Sequence, residues 1–296
     1  MAEILALGAG YSVRPLLKAL AAEGARVTAT TRSEEKAEAL REEGLSPLLW
    51  EAPAPLPPDV ARKADAILIS APPREGACPA LAALPGSAVK GGTRLLYLSS
   101  SGVYGDAGGA WIDETAQCSP GTERGRARLA AEAGWRDLAE GRGARLTLCR
   151  LAGIYGPGRN AVASLRGDTR GKRSGLSQRV IKPGQVFNRI HRDDIASGLR
   201  ALLRAEAPPG IVNFCDDEPS PPQDVIAFAA ELLGIAPPPE VPFETAALSD
   251  MARSFYAENK RLRNDRLKAL PGFSLRYPSY REGLRAALTA PPLPEH

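Results

Sequence analysis

The sequence predicts an α/β protein built on a doubly wound parallel sheet with a smaller C-terminal α/β lobe. Short apolar runs alternate with amphipathic helical patterns from the N-terminus to about residue 151. The first run ends in the turn Gly8-Ala9-Gly10, and a helical pattern starts directly after it. Because parallel strands joined by helices place their carboxyl ends at one edge of the sheet, we expect a ligand to bind at that edge.

The first 32 residues have the strand, turn, helix and strand of a unit that binds dinucleotides. Residues 4–7 predict a buried strand, and residues 25–30 predict a second one. Between them the apolar residues recur at helical spacing: Val13, Leu16, Leu17 and Leu20. This is the Rossmann arrangement. Val13 stands where G-x-G-x-x-G has its third glycine, which indicates slightly looser packing of the helix on the strand.

The turn after the first strand is the predicted diphosphate site. A Cβ at Gly8 or Gly10 would stand between a phosphate and the backbone N–H groups at the helix N-terminus. The residues expected to hold the diphosphate are Gly8, Gly10, Tyr11 and Ser12. The alternative is a glycine turn that only joins a strand to a helix.

The end of the second strand favours NADP(H) over NAD(H). An acid there would accept hydrogen bonds from the ribose hydroxyls of NAD, whereas an arginine would pair with the 2′-phosphate of NADP. The chain has Thr31 and Arg32 at this place, and the next acid along the chain is Glu34. We therefore expect Thr31 and Arg32 to contact the cofactor. The alternative is that Arg32 only caps an exposed loop.

Four further strands with their helices complete the alternating part of the chain. They are predicted as a helix at 34–43, strands at 45–50, 65–70 and 94–98, a helix at 123–138 and a strand at 146–151. Ser70, Ala71 and Pro72 end the fourth strand, where small residues and proline are expected to line the nucleotide crevice. Trp50 and Glu51 either flank the adenine or are a core aromatic residue and a loop acid.

The character of the sequence changes at residue 159. Residues 159–192 contain nine Lys or Arg and one Asp, which indicates either a solvated flexible loop or a lid whose cations meet an anionic substrate or the cofactor. Regular patterns then return. They predict a helix at 195–203, a strand at 211–214, a helix at 222–233, a proline-rich connector at 236–242 and closing helices at 259–270 and 280–288.

Composition narrows the function classes. The formal charge of +4 is mild and does not indicate a nucleic-acid partner. No apolar run approaches the twenty residues of a membrane span, and Met1 leads directly into a strand, so we expect a soluble, cytoplasmic protein. Four scattered cysteines fit a reducing compartment. Two histidines are too few for a His-rich metal site or a serine-histidine triad, and the paired acids lack further ligands, so no metal site is expected.

Four stretches together form a recognisable pattern: the glycine turn and residues 99–105, 150–158 and 189–196. They resemble the extended short-chain dehydrogenase/reductase superfamily, which includes the NAD-dependent epimerases and dehydratases of nucleotide sugars. Residues 259–261 and 277–284 resemble its atypical, uncharacterised branch. The resemblance implies a Rossmann domain formed by 1–158 with 188–214, and a smaller substrate-binding lobe formed by 159–187 with 215–296. It also implies a small-molecule substrate and a possible homodimer through the helix at 123–138.

The resemblance also implies a catalytic arrangement from which this chain departs. The family uses a serine at the end of the fifth strand together with Tyr-x-x-x-Lys on the next helix. The family's register gives Ser100 as the serine and puts Arg124 and Arg128 in place of the tyrosine and lysine. An arginine stays protonated, so Arg124 is a poor proton donor or acceptor but can bind an anion or polarise a carbonyl. Tyr104 and Tyr155 either substitute as acids or only pack.

Two hypotheses follow for the activity. The first is an NADP(H)-dependent oxidoreductase or epimerase-like enzyme with an altered proton relay, in which Arg128 reaches the ribose and an anionic substrate binds Arg124 and Arg159. The second is a binding protein that senses the NADPH/NADP⁺ ratio without turnover. In both hypotheses the end of the fifth strand and the turn after the sixth lie beside the nicotinamide. The residues expected there are Ser99, Ser100, Leu151, Ala152, Gly153 and Ile154.

Overall fold

The computed structural model describes residues 1–51, 54–73, 78–167 and 176–289 of the 296-residue chain. Within these ranges the strands are β1 (Glu3–Leu7), β2 (Arg26–Thr31), β3 (Ser46–Leu49), β4 (Ala66–Ile69), β5 (Arg94–Ser100), β6 (Trp111–Ile112), β7 (Arg145–Leu151), β8 (Gly153–Tyr155), β9 (Arg179–Ile181), β10 (Arg189–His191), β11 (Ile211–Phe214), β12 (Glu240–Pro242) and β13 (Arg261–Leu262). The strands predicted for the central sheet agree with these to within two residues.

The helices of the same ranges are α1 (Arg14–Ala22), α2 (Glu34–Glu42), α3 (Pro58–Lys63), α4 (Pro79–Ala83), α5 (Glu123–Arg142), α6 (Ala161–Arg166), α7 (Arg192–Arg204), α8 (Pro222–Leu233), α9 (Asp250–Phe255), α10 (Asp265–Lys268) and α11 (Tyr280–Thr289). The short helices α3 and α4 were not predicted from the sequence. In the described part of the chain, no helix has both the length and the apolar character to cross a membrane.

Seven parallel strands form the central sheet in the order β11-β7-β5-β4-β1-β2-β3. The chain runs from β1 outward to β3 on one side and from β4 outward to β11 on the other. The strand order therefore reverses between β1 and β4, and doubly wound sheets have their ligand crevice at such a point, beyond the carboxyl ends of the two strands. The predicted doubly wound α/β fold is confirmed, and the glycine turn and residues 70–72 lie on either side of the crevice.

The sheet is covered on both faces, as its alternating side chains require. In β5, Leu96 and Leu98 belong to a core that includes Leu16 and Leu17 of α1. The intervening Tyr97 belongs to the opposite core, where α5 packs against the sheet. Helix α5 is thereby held along β5, and its first turn stands at the carboxyl edge of the sheet.

Two smaller apolar clusters lie outside the sheet. One contains side chains from α6, α8 and α11, and the other surrounds Val180, Ala246 and Tyr256. Strand β12 pairs with β9, which joins the segment at 240–242 to the segment at 179–181. Both clusters consist of residues from the proposed smaller lobe, although the boundaries given for the two domains stay a prediction.

The prediction of a single closing helix at 259–270 is wrong. Residues 261–262 form β13, which pairs with β6, and only Asp265–Lys268 is helical. The asparagines at the two breaks bond to distant backbone: Asn259 Oδ1 accepts from Val186 N at 3.2 Å, and Asn264 Nδ2 donates to Cys215 O at 2.9 Å. Asparagine side chains that bond to backbone compete with helix formation, which explains why the apolar pattern did not produce one helix.

The segment at 159–192 and its surroundings are also more regular than predicted. Helix α6 and strands β9 and β10 lie within it, so a wholly irregular loop is excluded for its described part, and residues 168–175 lie outside the described residues.

Strand β12 forms at the end of the predicted connector. The predicted turn at 152–154 is instead the start of β8, which pairs with β10, because the N–H of Gly153 donates to Asn188 O at 3.0 Å.

Candidate functional site

The glycine turn after β1 is tied to the ends of two neighbouring strands. The N–H of Gly8 donates to Thr30 Oγ1 at 2.8 Å, and Ser70 Oγ donates to Gly8 O at 2.8 Å. Gly8 has φ +96°, and a Cβ added there would lie 2.8 Å from Ser70 Oγ. Gly8 is therefore required both by its backbone conformation and by the close contact with Ser70.

Gly10 has a different surrounding. It is exposed, and a Cβ added at this residue would meet no atom within 4 Å in the described structure. Its carbonyl accepts from the N–H groups of Val13 and Arg14, and among the described residues no side-chain cap is found at the N-terminus of α1. Val13 is fully buried in the core. The space in front of Gly10 and the uncapped helix fit the diphosphate of a dinucleotide.

The opposite wall of the crevice follows β4. Ala71 N donates to Leu7 O at 3.0 Å, which holds this segment beside the glycine turn. Ser70 and Ala71 are half-buried, and Pro72 is exposed. The three predicted crevice residues are thus brought together with Gly8 at the point where the strand order reverses.

Arg32 lies at the carboxyl end of β2, as predicted. Its side chain is 58% exposed, and its Nη1 is 3.7 Å from Glu51 Oε1. Thr31 is half-buried, and its carbonyl accepts from Trp50 N at 2.8 Å. An ion pair between two exposed groups is weak, so the guanidinium of Arg32 can exchange Glu51 for a phosphate at little cost.

The two serines that end β5 have different environments. Ser99 is buried, and its hydroxyl donates to Glu132 Oε1 at 2.6 Å. Ser100 is half-buried, and its Oγ accepts from Gly102 N at 3.2 Å. Leu151 of β7 is the register partner of Ser100. Of the two serines, only Ser100 is partly exposed to solvent at the edge of the sheet.

Arg124 and Arg128 occupy one face of α5 but extend in different directions. Arg128 Nη1 donates to Leu98 O at 2.8 Å and to the Tyr97 hydroxyl at 3.2 Å. Arg124 Nη2 donates to Ser254 Oγ at 3.2 Å, and its Cζ is 5.0 Å from the centre of the Phe255 ring. Arg128 therefore contacts β5, whereas Arg124 reaches across to α9.

Tyr104 and Tyr155 both pack in the interior. The Tyr104 hydroxyl donates to Asn213 Oδ1 at 2.7 Å, and the Tyr155 hydroxyl donates to Ser279 O at 3.2 Å. Burial raises the pKa of Tyr104 to about 12 and raises the pKa of Tyr155 further above its usual value. Their geometry supports the packing alternative over a role as substitute acids.

The turn predicted beside the nicotinamide is mostly inaccessible. Leu151 and Ala152 are buried, Ile154 is half-buried and only Gly153 is exposed. The N–H of Ala152 donates to Phe214 O at 3.0 Å. These residues lie at the carboxyl edge of β7, beside β5. Of the four, only Gly153 and Ile154 are accessible enough to contact a ligand at this edge.

Sequence reasoning missed two groups of residues near the site. Lys260 Nζ, which is buried, donates to Gly105 O at 2.5 Å and to Glu258 Oε2 at 2.7 Å, and so ties the loop after β5 to the segment before β13. Arg192 lies over the ring of Tyr11. Lys260 lies within the resemblance at 259–261, but sequence reasoning assigned it no role. No pattern in the sequence connects Arg192 to Tyr11.

This chain is similar to one protein family, to several solved structures and to a protein of Escherichia coli. Residues 75–215 match the model of the NAD dependent epimerase/dehydratase family. A functionally unknown conserved protein from Silicibacter pomeroyi DSS is 45% identical with a TM-score of 0.85, over 97% of this chain and 98% of that one. A putative NAD-dependent epimerase/dehydratase from Methylobacillus flagellatus is 26% identical with a TM-score of 0.69, over 97% of both chains. Protein YeeZ of Escherichia coli K12 is 29% identical over 252 residues, which are 80% of this chain and 86% of YeeZ.

Proposed function

From the match of residues 75–215 to the NAD dependent epimerase/dehydratase family, we propose that this chain is an NADP(H)-dependent oxidoreductase or epimerase-like enzyme. Its substrate is a small or nucleotide-linked molecule with a hydroxyl or carbonyl group. The observation that carries the proposal is the glycine turn at the crevice between β1 and β4, where Gly8 contacts Ser70 and the outer face of Gly10 is open.

The residues of this crevice fit a nicotinamide dinucleotide. Gly8, Gly10, Tyr11 and Ser12 hold the diphosphate, and Ala71 and Pro72 line the opposite wall. Thr31 and Arg32 meet the 2′-phosphate, since Arg32 is exposed and has only the exposed Glu51 as a partner in the described structure. When bound, the nicotinamide supplies hydride transfer. Gly153 and Ile154 border its expected position.

The chain's own groups bind and polarise the substrate, and the proton that accompanies hydride transfer is exchanged between the substrate oxygen and solvent. Ser100 donates a hydrogen bond to the substrate oxygen from the end of β5. Arg124 contacts an anionic group or a carbonyl of the substrate. A positioned acid–base group is typically worth about 10²–10⁴-fold in rate, so we expect slow turnover or an activated carbonyl substrate.

The second candidate is a sensor that binds NADP(H) without turnover. The specific observation in its favour is the geometry of the two arginines. Arg128 contacts Leu98 O and the Tyr97 hydroxyl, and Arg124 contacts Ser254, so both stand in hydrogen bonds with the protein itself. In this case the position of α9 would change with the bound cofactor.

A paired titration tests the cofactor. We expect NADPH to bind more tightly than NADH, and Arg32→Ala to remove about a tenfold difference, or about 1.4 kcal/mol, because an exposed phosphate–guanidinium pair is partly screened. Binding is measured by the fluorescence of the reduced nicotinamide. Arg26→Ala is the matched control, since Arg26 is exposed at the opposite end of the same strand and should leave both affinities unchanged.

The outcomes distinguish dinucleotide binding as such from the preference for NADP(H). If the wild-type protein binds neither dinucleotide, both candidate functions are rejected. Equal affinities for NADPH and NADH would retain a dinucleotide-binding enzyme but reject the preference for NADP(H).

Arg124→Ala tests the role given to the first turn of α5. We expect NADPH affinity and the unfolding midpoint to stay at wild-type values, because Arg124 is exposed. For a carbonyl substrate found in a panel of anionic and neutral compounds, kcat/KM should fall by about 10- to 100-fold, as loss of a charged hydrogen bond predicts. Arg126→Ala, two residues away and also exposed, is the control. Wild-type turnover in Arg124→Ala would exclude a catalytic role for this arginine.

A further inference from the structure

Two arginines from distant segments flank the ring of Tyr11, the residue after Gly10. The Cζ of Arg192, at the first position of α7, is 4.7 Å from the ring centre. The Cζ of Arg159, in the turn after β8, is 5.8 Å from it. Both distances are within the range of a cation–π contact. The two guanidinium groups are therefore gathered beside the glycine turn.

The position of Tyr11 is fixed by close packing. Its hydroxyl donates to Pro157 O at 3.1 Å. A Cβ added at Gly156 would lie 2.7 Å from the Tyr11 hydroxyl oxygen and 3.2 Å from Arg192 Cβ, and Gly156 has φ +152°. The glycine turn, the turn at 156–159 and the start of α7 thus meet at one point. Burial raises the pKa of Tyr11 to about 12, against the opposing effect of the two arginines, so the ring stays neutral.

The charge of the arginine pair is poorly balanced by the described residues around it. Arg192 Nε is buried and makes no hydrogen bond within the described ranges, and its nearest carboxylate oxygen, Asp193 Oδ1, is 3.6 Å away. Arg159 is exposed and has no ion pair among the described residues. Burial lowers the pKa of the neighbouring His191 to about 4, so this imidazole is neutral. Two positive charges therefore face one carboxylate.

We propose that Arg159 and Arg192 form an arginine clamp that binds a diphosphate group at the glycine turn. The inference rests on the proposed function, since it takes the diphosphate to be that of the dinucleotide. Tyr11 contacts both guanidinium groups, and it directly follows Gly10, whose outer face is open in the described structure. The planar, paired N–H groups of arginine match phosphate oxygens, and the net positive charge attracts the anion. The pair comes from residues that are far apart in the sequence, so it forms only in the folded protein.

The test is a set of binding titrations by calorimetry with NADPH, ADP, adenosine and inorganic pyrophosphate. The proteins are the wild type, Arg159→Ala, Arg192→Ala and the double variant. We expect each single variant to bind NADPH, ADP and pyrophosphate about tenfold more weakly, and the double variant about a hundredfold more weakly. Adenosine, which has no phosphate, should bind all four proteins equally. The affinity for ADP should also depend less on salt in the variants.

Two further variants keep a folding defect from imitating the result. Arg204→Ala changes an exposed arginine at the other end of α7 and should bind every ligand as the wild type does. Arg192→Lys keeps the charge but loses the planar fork, so it should recover part of the affinity lost in Arg192→Ala.

Wild-type affinity for NADPH and ADP in the double variant would overturn the clamp while the proposed function stands. Equal weakening of adenosine and ADP would also overturn it, because the loss would then not concern the phosphates. If the wild type binds pyrophosphate but no dinucleotide, and the variants lose pyrophosphate, the clamp stands and the proposed function is rejected. If the wild type binds none of the four ligands, both are rejected.

Discussion

Replacement of Glu132 by alanine is expected to lower the free energy of unfolding by about 3–5 kcal/mol, because it leaves a buried charge without its partner. Glu132 is fully buried on α5, and its Oε2 is 2.8 Å from Arg150 Nη2, while Arg150 is 2% exposed. Arg150 Nε also donates to Glu132 Oε1 at 3.1 Å. The substitution removes both bonds as well as the acceptor of the Ser99 hydroxyl.

Urea denaturation followed by circular dichroism measures the effect. Glu140→Ala is the matched control, because Glu140 is exposed on the same helix and its loss should change the unfolding free energy by less than about 0.5 kcal/mol. The double variant Glu132→Leu with Arg150→Met removes both charges and should regain most of the lost stability. Equal midpoints for Glu132→Ala and Glu140→Ala would contradict the assignment of this pair as a major source of stability.

Gly10→Ala is expected to weaken NADPH binding without lowering the stability of the fold. An added Cβ meets no described atom within 4 Å, and the φ of Gly10 lies outside the left-handed region, so the unfolding midpoint should stay at or slightly above the wild-type value. The methyl group instead occupies the space in front of the turn. If it displaces the diphosphate from its charged hydrogen bonds, about 1.5–3 kcal/mol is lost, which corresponds to a decrease in NADPH affinity of up to about a hundredfold.

Gly8→Ala provides the contrast. Its φ of +96° and the 2.8 Å approach to Ser70 Oγ predict a lower unfolding midpoint in addition to weaker binding. Thermal unfolding and NADPH titration of the two variants, side by side, distinguish the roles of the two glycines. Wild-type NADPH affinity in Gly10→Ala would show that the phosphates do not approach this face of the turn.

The sequence by itself determined the central sheet and the crevice. The strands at 4–7 and 66–69, among others, are continuous apolar runs, and a buried parallel strand needs little more than such a run between turn residues. Their alternation with helices decided the topology, and Gly8, Gly10 and Arg32 could be placed at the carboxyl edge by counting from the strand ends. Local patterns sufficed because these features depend on residues close together in the chain.

Only the tertiary structure decided which side chains meet around that crevice. Arg192 reaches Tyr11, Glu132 pairs with Arg150, and Arg124 turns toward α9 rather than along the sheet. The break of the predicted helix at 259–270 has the same origin, since Asn264 bonds to backbone some fifty residues away. The periodicity of a segment reports which of its faces is buried, but the partner of a polar side chain is chosen by the packing of distant segments.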